Sequence, residues 1–387
     1  MRDLILPRGP LAVLLACSFL LAGAPAQDLS TPPPAPLAGL DYTVPFFPGA
    51  TYDQNIPNPA TVLGFEVGAK PATHTQIEAV LKALAANNPR AKLFAYGKTH
   101  EGRTLYYLAI ASEANLRRLD ALKADYAKLA DPRKVSREEG DRLAASLPAL
   151  AWMAYAIHGD ELSGADAALA AAYHLAAGTG ADVKSLLENL IVVIDPLMNP
   201  DGRDRFLAMM AQNRTAQPGV DDQSLIHTGF WPAGRTNHYL FDLNRDWLFV
   251  TQPESRDRDR AIGEWNPHYV IEGHEMGSQS TFFFEPPREA LNPNFPASEQ
   301  KWEARFGENQ AAAFDAHGWR YFNGENYDNW YPGFTSSWAP LRGAIGNLYE
   351  QAKISTDAVR HANEALEAYR ESVHHQLVST MANLAFL

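Results

Sequence analysis

Cysteine is almost missing: Cys17 is the only one in 387 residues. It lies in the opening apolar stretch, so the rest of the chain can build neither a disulfide framework nor a thiol nucleophile. Its fold rests on core packing and on any metal it holds. Positive charge is also scarce. The formal net charge is −12, and Lys and Arg nowhere form the cluster that phosphate contacts need, which argues against a nucleic-acid partner. There is no internal repeat, no His-Glu-x-x-His helix and no Gly-x-Ser-x-Gly elbow. There is no phosphate loop either, because Lys92 stands where Gly97-Lys98-Thr99 would need an upstream glycine.

What is present is ordinary globular composition, 46% hydrophobic and 20% charged, in a chain long enough for one large or two ordinary domains. Arg2 and Arg8, the apolar run Leu11 to Leu21 and the small residues ending at Ala26 read as a secretory signal, with a run too short to span a bilayer comfortably. A rival reading makes Cys17 the lipidated residue of a lipoprotein signal, but Phe19, Leu20 and Leu21 continue the apolar run where a polar tether belongs. The expected organisation is a signal at 1–26, a proline-rich tether and irregular lead-in at 27–58, and one domain at 59–387.

Within that domain, Thr73 to Ala85 and Glu113 to Ala130 carry helical periodicity, and Ser136 to Leu147 reads as a polar helix. Lys92 to Tyr96 and Arg103 to Ala111 read as a strand pair, and Ala151 to Ile157 and Leu190 to Asp195 as buried strands with a helix near Ala165 to Ala177 between them. A charged helix from Pro253 to Trp265, a strand at His268 to Glu272 and a helix from Pro296 to His317 follow. Trp319 to Trp338 reads as a long loop, and a last helix begins near Thr356 with Val359, Leu366, Val373, Leu377 and Met381 on its face. Strand and helix alternate, which favours an α/β sheet.

The chemistry concentrates in Ala151 to Gly164. There a strand ends in His158-Gly159-Asp160-Glu161, a turn able to bring an imidazole nitrogen and a carboxylate within about 3 Å of one point. Both are zinc ligands, and a catalytic site needs a third with an open position beside it. His274, just after the later strand, is the candidate, although a lone histidine there is more often structural.

Together these residues resemble the M14 zinc carboxypeptidase family. His158 and Glu161 look like its His-x-x-Glu pair and His274 like its distant third ligand. Gly97 to Arg103 is similar to its Gly-x-Ser-x-Glu-Gly-Arg stretch, Asn199 to Gly202 to its Asn-Pro-Asp-Gly turn, and Asp242 to Trp247 to its Asn-Arg element. The resemblance implies an α/β fold with a twisted mixed eight-stranded sheet flanked by helices, and one zinc ion on His158, Glu161 and His274. It implies a peptidase that removes the C-terminal residue of a peptide substrate, and the signal read at 1–26 would make it exported, secreted or periplasmic. Glu350 would be the base, Arg245 and Asn244 the clamp on the terminal carboxylate, and Arg214 the oxyanion donor, with Arg203 and Arg205 as nearby rivals. Tyr327 and Tyr331 are candidates for a tyrosine closing over the substrate, Tyr331 being preferred. The alternatives are a peptidoglycan-peptide hydrolase, an amidase or a deacylase on the same centre, and a non-catalytic binding module.

Overall fold

Two apolar runs without polar alternation, Ala149–Tyr155 (β3) and Leu190–Asp195 (β4), form the middle of the sheet. A strand that is apolar at every position must be covered on both faces. Ala151, Met153 and Tyr155 of β3 enter one core, while Leu150, Trp152 and Ala154 enter the other. The computed structural model describes residues 37–387, so the signal expected at 1–26, with Cys17, lies outside the described residues. No helix among the described residues is long and apolar enough to cross a membrane.

Ala91–Lys98 (β1) and Thr104–Ile110 (β2) form the antiparallel pair expected from the sequence, and β2 adds it to one side of β4. On the other side β3, Tyr269–Met276 (β5) and Ile345–Ala352 (β9) run parallel, and Phe282–Phe284 (β6) closes the edge antiparallel to β9. The order is β1-β2-β4-β3-β5-β9-β6. The sheet thus has seven strands where eight were expected. The short segment Arg288–Leu291 (β7) pairs with Asp328–Asn329 (β8) in a separate two-stranded piece. Helices His74–Ala85, Ser163–Ala177, Glu299–His317 and Tyr369–Phe386 cover one face, and Leu119–Leu129 and Pro253–Trp265 the other.

Three local expectations change. The helix read over 113–130 is two helices, broken at Arg118, whose φ of −105° and ψ of 20° are not helical. The long loop at 319–338 contains β8 and the start of a helix, Thr335–Leu341. The last helix begins at Tyr369 rather than near Thr356, because Ala358–Arg360 (β10) and Leu366–Ala368 (β11) form a hairpin first. Val359 and Leu366 belong to that hairpin, which turns through Glu364 at a φ of 68°.

What the sheet does for the site is set by register. Tyr155 of β3 pairs with Gly273 of β5, and His274 of β5 with Glu350 of β9. The carboxyl ends of three parallel strands therefore meet at one edge, where open α/β sheets characteristically place their crevice.

Candidate metal centre

His158 is delivered by a strained exit from β3. Ala156 adopts a φ of 53°, a conformation that costs an alanine energy, and the exit is pinned as Met198 N donates to Tyr155 O and Asn199 N to Ala156 O. Gly159 must be glycine: a Cβ there would lie 2.2 Å from the backbone nitrogen of Arg203. Two further clamps hold the turn. Lys353 Nζ donates to Asp160 Oδ2 at 2.7 Å, and Glu275 accepts from Leu162 N at 3.0 Å and Ser163 N at 2.8 Å, fixing the start of the helix that follows Glu161.

The three expected ligands converge. Nδ1 of His158 lies 2.7 Å from Oε1 of Glu161, and Nδ1 of His274 lies 2.7 Å from its Oε2. One donor atom from each of the three falls within 4.8 Å of the others, and all three side chains are buried. Each imidazole is oriented by an outer carboxylate. His158 Nε2 faces Asp242 Oδ1 at 3.1 Å, and His274 Nε2 faces Glu272 Oε2 at 2.9 Å. Protons on the two Nε2 atoms leave both Nδ1 lone pairs aimed inward, the arrangement metal-binding histidines use. Two nitrogens and a carboxylate on rigid supports fit zinc with a position left open.

Electrostatics follow the crowding. Burial works against charge on Glu161, but His158 and His274 hold it well below the usual carboxylate range. Burial likewise opposes the charge of Asp242, and His158 and Arg235 overcome it, pulling its carboxyl down. Glu350 differs: burial pushes it up to about 8, against the pull of His274. Because Glu350 pairs with His274 across parallel strands, both side chains emerge on the same sheet face beside the ligands.

The remaining expected residues are distributed unevenly. Arg214 is 56% exposed and pairs with Asp357 at 3.2 Å; none of its polar contacts is to the ligand cluster. Its rivals are committed elsewhere. Arg203 donates to Ala72 O and Leu162 O, and Arg205 to the carbonyls of Ala233, Thr236 and Asn237. The guanidinium at the cluster belongs instead to Arg235, whose Nη1 lies 3.2 Å from His158 Nδ1 and 3.7 Å from Glu161 Oε1. Arg235 also grips Asp242 Oδ2 through Nε at 3.1 Å and Nη2 at 2.9 Å. The sequence offered one signal for it, an arginine a short turn ahead of the Asp242-Leu243-Asn244-Arg245 element.

Asn244 turns inward. Its Oδ1 accepts from Thr335 N at 3.1 Å and its Nδ2 donates to Glu272 Oε2 at 3.0 Å, so the side chain braces the carboxylate that orients His274. Arg245 turns outward, half exposed, with its guanidinium 4.5 Å from the centre of the Phe334 ring. Tyr331 donates to the carbonyl of Arg245 at 3.0 Å. Tyr327 is the tyrosine beside Glu350: burial raises its hydroxyl pKa, and the neighbouring carboxylates of Glu350 and Glu161 raise it further.

Comparison with known proteins agrees with this geometry. Residues 77–267 match the family model described as zinc carboxypeptidase. A stretch of 131 residues, 34% of this chain, is 27% identical to the probable carboxypeptidase 2 of Trichophyton verrucosum and spans 20% of that protein's length. Among solved structures, a metallo-carboxypeptidase from Burkholderia cenocepacia superposes with a TM-score of 0.55 at 18% identity, over 81% of this chain and 68% of that one. Carboxypeptidase A from Helicoverpa armigera gives 0.55 at 18% identity, over 84% and 80%. At such identities the structures are evidence of a shared fold.

Proposed function

Residues 77–267 of this chain belong to the zinc carboxypeptidase family, M14, and from that premise we propose that the protein is an exported, zinc-dependent metallocarboxypeptidase that hydrolyses the C-terminal peptide bond of peptides. The observation that carries the reading is the convergence of His158, Glu161 and His274 with Glu350 in register beside them. A zinc ion held by the three ligands would supply Lewis acidity to the site.

The chain's own groups divide the rest of the work. Glu350, whose carboxylate burial makes more basic, takes in its ionised form a proton from the attacking water and returns it to the departing amine. Arg235, already within reach of His158 and Glu161, donates to the carbonyl oxygen as negative charge develops there, the role the sequence had assigned to Arg214. Arg245, half exposed with Nη1 donating to Asn244 O, presents the rest of its guanidinium to the terminal carboxylate. Asn244 acts as a positioning residue for His274 through Glu272. Tyr327 is the better placed of the two tyrosines to close over a substrate at Glu350, while Tyr331 supports the backbone of Arg245. The opening residues support export, to a secreted or periplasmic location.

A second reading, an amidase, deacylase or peptidoglycan-peptide hydrolase on the same centre, is favoured by one observation. With Asn244 turned inward, Arg245 alone remains to recognise a terminal carboxylate. Hydrolysis of paired acyl-dipeptides with free and amidated C-termini tests both readings. The carboxypeptidase reading expects Arg245→Ala to raise KM at least 10-fold for the free acid and to leave the amide unchanged. Equal losses on both would favour the second reading.

A further inference from the structure

Thirteen large apolar side chains stand exposed among the described residues, and eight of them fall between Leu225 and Phe249. That segment also carries Arg235 and Asp242, so the concentration borders the ligand cluster. Its most exposed members include Trp231 at 80% and Tyr239 at 62%.

These side chains are presented rather than left loose. Beneath them Asn237, fully buried, accepts from Tyr239 N at 3.1 Å and Phe241 N at 3.0 Å while donating to Gln252 Oε1 at 3.0 Å. Arg205 holds the carbonyls of Ala233, Thr236 and Asn237 from below. Leu240 is kept at a φ of 65°, a strained conformation for a leucine that persists only where the surroundings impose it. Trp231, His238 and Leu240 wall a depression of about 530 Å³. The charges on its floor are spent on one another, since Arg103 pairs with Glu101, Asp201 and Asp204. A charged ligand side chain would find little there, whereas an apolar one would gain by covering the rim.

Direction comes from the two guanidinia. Asp242 Oδ2 receives Arg235 on one side and stands 3.9 Å from Arg245 Nη1 on the other. Trp231 and the run His238 to Phe241 flank Arg235 on either side in the chain, so a peptide with its terminal carboxylate at Arg245 and its scissile carbonyl at Arg235 has this rim beside its reacting bond for its upstream residues. We propose that this aromatic rim is an extended subsite for apolar and aromatic residues upstream of the scissile bond, which makes Trp231 and Tyr239 specificity-determining residues. The inference rests on the carboxypeptidase reading for its direction.

Two sets of acylated tetrapeptides with a common C-terminal residue, one with Phe and Leu upstream and one with Ser and Asp, separate the possibilities. Dissociation constants are measured on zinc-loaded Glu350→Gln protein, and kcat/KM on the parent. The apolar set is expected to bind at least 10-fold tighter, and Trp231→Ala with Tyr239→Ser to remove that advantage without changing the rate on an acyl-dipeptide that has no upstream residues. Equal binding of both sets, or an advantage that survives the double variant, overturns the subsite. Discrimination in binding without any hydrolysis by the parent would instead sink the carboxypeptidase reading and leave the subsite standing. A parent that sediments as a dimer, with the double variant a monomer, would assign the rim to a second copy and overturn the proposal.

Discussion

Buried glutamates at two places in this fold meet opposite fates. At the candidate metal centre Glu161 is 5% exposed and its carboxyl is driven far down, because two imidazoles face its two oxygens. Beside the helix Glu299–His317, three glutamates are at least as buried. Glu285 is pushed well above the usual carboxylate range, Glu299 to about 8 and Glu303 to about 7, each chiefly by burial. Their partners are neutral: Asn329 Nδ2 donates to Glu285 Oε1 and to Glu303 Oε1 at 3.1 Å each, and Gly346 N donates to Glu299 Oε1 at 2.9 Å. Burial is common to both groups, so the difference lies in the counter-charge. Glu161 is arranged for a cation, whereas the three glutamates at the helix, like Glu350, retain protons. Strand β9 touches both, through Glu350 and through Gly346, and couples a reactive edge to a passive one.

The most severe way to break the contrast is to remove a ligand. His274→Ala should abolish stoichiometric zinc in elemental analysis and lower kcat/KM by about 10³-fold or more, while circular dichroism stays that of the parent. Zinc retained at full occupancy would mean that the cluster is not the metal centre. A milder change sharpens the same point. Glu272→Gln keeps the shape of the carboxylate that orients His274 but removes its charge, and should weaken zinc affinity about 10- to 100-fold in a competition titration with a chelator. An unchanged affinity would reduce Glu272 to packing.

The same contrast explains what could be read ahead of the structure. His158, Glu161 and His274 were legible because ligand chemistry admits few residue types and because β3 and β5 are apolar enough to be recognised as buried strands. Arg235 was not, since the family resemblance pointed to Arg214, while the loop held by Arg205 carries a different guanidinium back to His158. The inward turn of Asn244 depends on Thr335, which reaches it from a helix hidden in what read as loop. The second glutamate group left a trace: Glu299 and Glu303 share a helix face with Phe306, Gln310 and Phe314, all buried, where charged residues are not expected.

That second group makes the smallest prediction. A glutamate whose folded pKa is about 8 stays protonated over a range in which the unfolded chain, with an ordinary pKa of about 4.3, has released its proton. The folded state then binds more protons than the unfolded state, so stability is fully present below about pH 4 and falls as pH rises toward 8. Each proton so retained steepens the fall by about 1.4 kcal/mol per pH unit. Glu299→Gln preserves the acceptor for Gly346 N and cannot ionise, so urea unfolding at pH 5, 6 and 7 should show a slope shallower than the parent's by about that amount. Zinc adds its own pH dependence to both proteins, because protons compete for its histidines, and comparing parent with variant at equal zinc cancels that contribution. Parallel slopes would mean that Glu299 is ionised in the folded protein, and that burial without a counter-charge is not what separates the two groups.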